Sequence, residues 1–173
     1  LELTVNAGGE EVTAIKRVVF SPRLKPDQLP NRNPVIGEIS FRNSRVDRLT
    51  PLPTVETLQI PLGARLLIDP GTADAESYDA ATLDRNTGAV NVVPVAKETL
   101  RYTFFATRGR FSPGQVANQE SLARQAPTMP SLESTYQAPT ELLPGESKDV
   151  DLWIVVRDER AGCSFVRARL RLQ

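Results

Sequence analysis

Residues 149–173 read DVDLWIVVRDERAGCSFVRARLRLQ, and this stretch decides the fold. It contains two runs in which every second residue is apolar, joined by the charged turn RDERAG. Successive side chains of a β-strand point to opposite faces of the sheet, so this alternation predicts two strands that each bury one face. The short connection between the runs predicts that they pair as an antiparallel hairpin. The polar positions of both runs would then lie together on the outer face.

Parity sets the register of this hairpin, because a slip of one residue would turn an apolar set away from the core. The register that keeps both apolar sets inward sets three outer pairs opposite each other: Trp153 with Arg167, Asp151 with Arg169, and Asp149 with Arg171. One of these pairs is cation–π and two are oppositely charged, and each contributes about 0.2–1 kcal/mol. We interpret the arginines as a structural charge ladder, with an anion-binding strip as the alternative.

Composition excludes several classes of function. Lysine and arginine total 21, aspartate and glutamate total 21, and histidine is absent. A zero net charge argues against non-specific binding to nucleic acid or a membrane surface. The lack of histidine removes Ser-His-Asp and Cys-His catalysis and His-ligated zinc. We therefore expect no nucleic-acid partner, no cofactor and no metal, and no apolar run is long enough to span a membrane.

The single cysteine, Cys163, cannot form an intrachain disulfide. Arg157 and Arg160 are close in sequence and would favour a reactive thiolate, but Asp158 and Glu159 offset them. No histidine is present to act as its base. We expect a structural or incidental thiol.

Period-2 alternation continues along the rest of the chain and predicts about nine strands in all, including the closing hairpin, with an additional N-terminal pair. We assign residues 1–34 to this pair and to a connector with proline at every fourth position, and residues 35–173 to the main domain. The pair alternatively extends a sheet of that domain. The segment 98–111 predicts one long strand, and residues 84–88, DRNTG, predict a hairpin turn with Asn86 and Gly88 in left-handed positions.

Residues 112–132 break the strand pattern and form the candidate contact loop. The run QVANQESLARQ predicts a short helical insertion, with Glu120 four residues before Arg124. Long irregular insertions in compact domains are often functional, so a protein partner could bind here. The polar side chains expected to make the contact are Gln115, Asn118, Glu120 and Arg124.

An acidic group upstream offers a second candidate site. Asp69, Asp74, Glu76 and Asp79 could gather around a calcium ion after folding. The DRNTG segment itself lacks the glycine and glutamate positions of an EF-hand loop. Solvated acidic side chains are the favoured interpretation of this group.

The second half of the chain resembles bacterial extracellular immunoglobulin-like and PKD-like domains. Three motifs carry the resemblance, and their matching residues are Tyr102, Phe104, Ala106, Gly109, Phe111 and Ser112 in the first, Thr135, Ala138 and Pro139 in the second, and Val150, Leu152, Val155, Asp158, Arg160 and Gly162 in the third. Phe104 stands where the family usually has tryptophan. These motifs are particularly similar to those of envelope lipoproteins of myxobacterial type. The resemblance implies export and display on the envelope, and it transfers no catalytic residues.

Taken together, the sequence predicts an all-β immunoglobulin-like β-sandwich with an N-terminal strand pair and one short helical insertion. We expect a non-catalytic cell-envelope module that mediates protein–protein contact or acts as a spacer, in the periplasm, at the outer membrane or at the cell surface. The resemblance implies an exported lipoprotein, and any signal peptide or lipid-anchored cysteine would lie upstream of Leu1. An extracellular glycan- or calcium-binding module is the alternative, and an enzyme is a more remote one.

Overall fold

The structure is a computed structural model, and it describes residues 2–7, 10–15, 29–43, 46–53, 56–71, 74–95, 97–118 and 132–173. Within these ranges the protein is all-β: it contains no helix, and so none that could cross a membrane. Its strands are β1 Glu2–Ala7, β2 Glu10–Ile15, β3 Ser40–Asn43, β4 Val46–Pro51, β5 Thr57–Ile60, β6 Arg65–Asp69, β7 Tyr78–Leu83, β8 Val90–Val95, β9 Arg101–Ala106, β10 Arg110–Ser112, β11 Gln115–Ala117, β12 Ser134–Gln137, β13 Asp149–Arg157 and β14 Cys163–Leu172.

The chain divides into two compact units, Leu1–Pro30 and Asn31–Gln173. The first unit contains an antiparallel hairpin of β1 and β2, in which Glu2 lies opposite Ile15 and Ala7 opposite Glu10. The Pro-rich connector predicted at residues 21–34 falls largely outside the described residues. The second unit contains all of the other strands.

Two five-stranded sheets form the body of the second unit. The first sheet has the strand order β10-β12-β6-β3-β4, and the second sheet has the order β11-β9-β13-β14-β5. Neighbouring strands are antiparallel except β14 and β5, which are parallel. The longest pairing is the closing hairpin of β13 and β14, which extends from Asp149 opposite Arg171 to Arg157 opposite Cys163.

One hydrophobic core is shared by the two sheets. Its buried side chains come from alternate positions of the strands, as the period of a half-buried strand requires. Leu66, Ile68 and Tyr136 project into it from the first sheet, and Tyr102 and Ile154 from the second. The Phe111 ring lies between the rings of Phe104 and Tyr136, with ring centres 5.2 and 5.3 Å apart. Aromatic contacts therefore join the two layers.

The long strand predicted over residues 98–111 is wrong, because the chain changes sheet within it. Strand β9 ends at Ala106 in the second sheet, and β10 begins at Arg110 in the first. Gly109 makes the crossing possible with a φ of 76°. A Cβ atom at this position would collide with the carbonyl oxygen of Gln137 and would lie 2.8 Å from the Tyr136 ring. Only glycine accepts both the left-handed backbone and the close approach.

The predicted short helical insertion is not seen. Residues 115–117 form strand β11 instead, with Val116 opposite Tyr102. Val116 is β-branched and packs partly buried against the core, which favours a strand over a helix. The remainder of the predicted helix, 119–125, lies outside the described residues.

Strands β7 and β8 form a separate two-stranded hairpin around the predicted turn. Gly88 is left-handed, with a φ of 71°, whereas Asn86 is not among the residues with positive φ. Asn86 instead donates its backbone N–H to the Asp84 carboxylate, as in an Asx turn. This hydrogen bond, together with those from Thr87, lowers the pKa of Asp84.

Candidate functional site

The candidate site is the outer face of the second sheet, defined as the side turned away from the shared core. Strand β13 buries Val150, Leu152, Ile154 and Val156 and turns the residues between them outward. The outward positions of β9, β13 and β14 form rows across the sheet, because residues that are directly opposite share a face. The outer face is therefore built on a rigid framework of long, hydrogen-bonded strands.

Apolar side chains occupy the middle of the outer face. Trp153 lies between Phe105 on β9 and Arg167 on β14. In the next row Val155 lies opposite Phe165. Phe105 is 48% exposed and Phe165 is 65% exposed, so the centre of this face presents aromatic surface to solvent. Large apolar side chains grouped in this way are typical of contact surfaces.

The outward pairs of the closing hairpin lie beside this centre in the register that parity predicts. Arg167 contacts Trp153 with its guanidinium carbon 5.8 Å from the ring centre, within the range of a cation–π contact. The same guanidinium donates to the Asp151 carboxylate at 2.8 Å, whereas Arg169, directly opposite Asp151, approaches it only to 3.4 Å. Asp151 therefore pairs with both arginines, and the diagonal partner, Arg167, lies closer than the directly opposite one, Arg169.

At the end of the sheet the ladder closes with Asp149 and Arg171, which are directly opposite and 3.4 Å apart. Both side chains are more than half exposed. An ion pair in this setting is worth at most about 1 kcal/mol. These pairs therefore hold the register of the hairpin more than they stabilise the fold.

The other end of the outer face has a different charge pattern. Arg101 on β9 lies directly opposite Arg157 on β13, and both are exposed. Neither makes an ion pair with any residue in the described part of the chain. Five arginines and two aspartates face outward on β9, β13 and β14, which gives this surface a net charge of three positive. The outer face therefore combines an aromatic centre with an excess of positive charge.

A second cluster of charged side chains surrounds one fully buried carboxylate in the same unit and was not predicted from the sequence. Glu98 is fully buried and accepts hydrogen bonds from the Arg160 guanidinium at 3.0 and 3.2 Å. Arg160 also donates to Glu76 at 2.6 Å. Its guanidinium carbon lies 4.4 Å from the centre of the Tyr78 ring. We call Glu76, Tyr78, Glu98 and Arg160 the buried charge cluster.

The pKa shifts of the buried charge cluster follow from burial and pairing. Burial acts to raise the pKa of Glu76, but hydrogen bonds from Arg32 and Arg160 outweigh it and hold the pKa below its ordinary value. Burial, with a hydrogen bond to Glu159, raises the pKa of Tyr78 to about 12. Every charge in the cluster has a partner of opposite sign, so we assign the cluster a structural role.

The group of acidic residues considered for calcium is divided among other contacts. Glu76 belongs to the buried charge cluster, and Asp69 accepts the backbone N–H of Gly71 at 2.9 Å. Across the described ranges, no group of three or more cysteine, aspartate or glutamate side chains lies close enough to hold a metal ion. Asp74 and Asp79 do not join the other two in a common site.

Cys163 is exposed at the start of β14, opposite Arg157. Its backbone N–H donates to the Asn33 side chain at 3.1 Å. Arg160, which the sequence places near the thiol, is turned to Glu76 and Glu98 instead. The turn therefore directs one arginine to the interior and leaves Arg157 on the outer face.

The contact-loop residues take different positions. Gln115 is exposed on β11, at the edge of the second sheet. Asn118 has a structural role, because its side chain accepts the N–H of Leu100 at 2.9 Å and donates to the carbonyl of Glu98. Glu120 and Arg124 lie outside the described residues. The aromatic residues of the outer face, by contrast, were not proposed as a contact site from the sequence, although their outward parity could have indicated one.

An open groove lies elsewhere on the same unit, with a volume of about 470 Å³. Its lining includes Ile39, Leu52 and Val166 from the core margin and two carboxylates, Glu38 and Glu56. Among the described residues, its lining contains no cation and none of the aromatic residues of the outer face. The outer face is the richer surface for recognition.

Comparisons with known proteins assign no family. No protein-family model matches the chain, and no curated protein matches it. A structural similarity was found to a nucleoside hydrolase-related hypothetical protein from Saccharophagus degradans that is associated with carbohydrate metabolism, with 11% identity and a TM-score of 0.39. The match covers 80% of this chain and 26% of that one.

Proposed function

We propose that residues 31–173 form a non-catalytic, immunoglobulin-like β-sandwich that binds a protein partner through the outer face of the second sheet. The observation that carries this proposal is the exposed aromatic centre formed by Phe105, Trp153 and Phe165 on a rigid sheet. Aromatic residues and arginine are the side chains most enriched at the energetic centres of protein interfaces. The two sheets around one core support the immunoglobulin-like assignment.

The charge of the outer face defines the partner. A surplus of three positive charges surrounds the aromatic centre, so the complementary surface is acidic with an apolar group at its middle. Such complementarity steers encounter and raises the association rate, an effect that salt screens. The partner is therefore an acidic protein surface rather than a second copy of this equally basic face, and the zero net charge of the chain argues against a nucleic acid.

We place the protein in the cell envelope, as the extracytoplasmic part of an exported lipoprotein. The support for this location is the resemblance of residues 99–173 to extracellular bacterial domains. In that setting the module would connect its anchor to a second envelope protein.

The test compares capture by three forms of the full chain from a solubilised envelope extract. The wild type is immobilised beside the double variant Phe105→Ser/Phe165→Ser and the control Leu143→Ser, which removes from a loop a leucine as exposed as Phe165. We expect a species that binds wild type and control but binds the double variant at least about 30-fold more weakly, since central interface residues contribute 2 kcal/mol or more. Its capture should weaken as salt is raised.

Equal capture by all three forms would refute the proposal. Sedimentation of the purified protein gives the other decisive measurement. If the wild type dimerises and the double variant does not, the occupant of the outer face is a second copy, and the proposed acidic partner is wrong.

A further inference from the structure

The cross-strand pair Arg101 and Arg157 is the feature of the outer face that the fold does not explain. Like charges directly opposite each other in a sheet are destabilising. Each of the other three outward arginines has a carboxylate within reach: Asp151 serves Arg167 and Arg169, and Asp149 serves Arg171. Only the pair at this end of the face lacks such compensation within the described ranges.

The geometry of this pair suits an oxyanion. Residues directly opposite in an antiparallel pair have Cβ atoms about 4.5–5.5 Å apart, so two guanidinium groups can reach one anion between them. Arginine presents a planar fork of N–H donors that matches the oxygens of a carboxylate or phosphate. An anion bound there would remove the repulsion between the two charges and make charge-assisted hydrogen bonds.

The neighbouring row defines what the anion is attached to. Val155 and Phe165 lie two residues along the strands from Arg157, a distance of about 7 Å. A ligand group held by both features has an anionic end and an apolar part at that separation. An acidic side chain next to an apolar one on a protein surface meets this requirement.

We propose that Arg101 and Arg157 form an oxyanion-binding subsite that takes a carboxylate of the partner. This inference rests on the proposed function for the identity of the ligand, but binding of the anion itself does not. The subsite also accounts for the uncompensated charge: the free protein keeps a local repulsion that the bound anion relieves.

Inorganic phosphate is the probe, because it needs no knowledge of the partner. Thermal unfolding of the full chain is followed in sodium phosphate and in sodium chloride at matched ionic strength, for wild type, Arg101→Gln, Arg157→Gln and the control Arg171→Gln. The control removes the same charge from the same face. Phosphate stabilises proteins in general by exclusion from their surfaces, so the comparison between variants carries the result.

We expect phosphate to raise the melting temperature of wild type and of the control more than that of either subsite variant. Chemical-shift titration should give phosphate binding at least about tenfold weaker in the two subsite variants, as expected for the loss of one charge-assisted contact. In chloride alone Arg157→Gln should melt at or above the wild-type temperature, because a repulsion has been removed.

Three outcomes would overturn the subsite: an equal response to phosphate in all four proteins, an equal loss in the control, or a lower melting temperature for Arg157→Gln in chloride. The failures are distinguishable. If phosphate binds but capture of a partner does not depend on the outer face, the subsite stands and the proposed function is wrong. If no phosphate binds and capture is insensitive to Arg101→Gln and Arg157→Gln, the subsite is wrong and the proposed function stands.

Discussion

Removal of the Glu98 carboxylate should destabilise the fold strongly. The Glu98 side chain is fully buried and makes two kinds of contact. It accepts two hydrogen bonds from Arg160, and it accepts the backbone N–H of Glu76 at 3.0 Å. Alanine at this position leaves a guanidinium that is only 12% exposed with one carboxylate instead of two, and orphans a backbone donor.

The magnitude follows from these two losses. Breaking a buried ion pair by removing one partner costs about 3–5 kcal/mol, and a buried donor without an acceptor costs about 1–3 kcal/mol. Arg160 keeps Glu76, so the ion-pair cost lies at its lower end. We expect Glu98→Ala to lower the free energy of unfolding by about 3–4 kcal/mol. Glu98→Gln should cost less, because its amide oxygen can still accept the Glu76 N–H.

Urea unfolding of the full chain measures this effect as a change of midpoint at constant slope. The control is Glu141→Ala, an exposed glutamate whose loss should change stability by less than about 0.5 kcal/mol. A second variant, Glu98→Leu with Arg160→Met, tests the cause, since replacing both charges avoids leaving one uncompensated. A loss below about 1 kcal/mol for Glu98→Ala, or a double variant much less stable than the single one, would refute the reasoning.

Three further predictions concern other parts of the unit. Because the pKa of Glu76 is lowered in the folded state, its contribution to stability is complete above the unfolded-state pKa and is lost as the pH falls through the folded-state pKa. Glu76→Gln should therefore flatten the acid side of a plot of the unfolding midpoint against pH. Parallel curves for the variant and the wild type would contradict this. Gly109→Ala should lower the free energy of unfolding by roughly 2–4 kcal/mol in chemical denaturation, because it adds a collision to backbone strain. Gly88→Ala has open space around its Cβ and should lower it by about 1 kcal/mol. Equal losses in the two variants would show that the steric collision contributes nothing. Arg169→Glu should be partly rescued by Asp151→Arg, with a coupling of about 0.5 kcal/mol in a double-mutant cycle, and purely additive effects would show that the pair contributes nothing.

The closing hairpin could be predicted from the sequence because its information is local. Both strands carry unbroken alternation, and a slip of one residue would expose the side chains of Val150 and Leu170, both fully buried. Pro61 and Gly63 are likewise a local signal in the sequence, because they mark the break that separates β5 from β6. Strand β4 has no such signal, because residues 46–51 alternate weakly and include three polar side chains.

Changes of sheet and long-range charge contacts could not be predicted in the same way. The aromatic and β-branched residues of the run 101–111 favour a strand whether or not the chain crosses between sheets, and the glycine within that run was the available signal. Glu76 and Arg160 are 84 residues apart, and neither has a local pattern that marks it as buried. Their association depends on which loops the two sheets bring together at one end of the unit.

The arginines of the closing hairpin show how the same side chain serves two purposes within a few residues. Arg160 turns inward, where two carboxylates and an aromatic ring compensate for its burial. Arg157, three residues earlier, turns outward and lies opposite Arg101, a like charge that cannot pair with it. A neutral or acidic residue at position 157 would pair better with Arg101 and stabilise the sheet. A stability cost retained at the margin of an exposed aromatic surface is the pattern expected where binding, rather than folding, determines the residue. The difference in melting temperature between Arg157→Gln and the wild type in chloride therefore measures how much the Arg101–Arg157 repulsion destabilises the free protein.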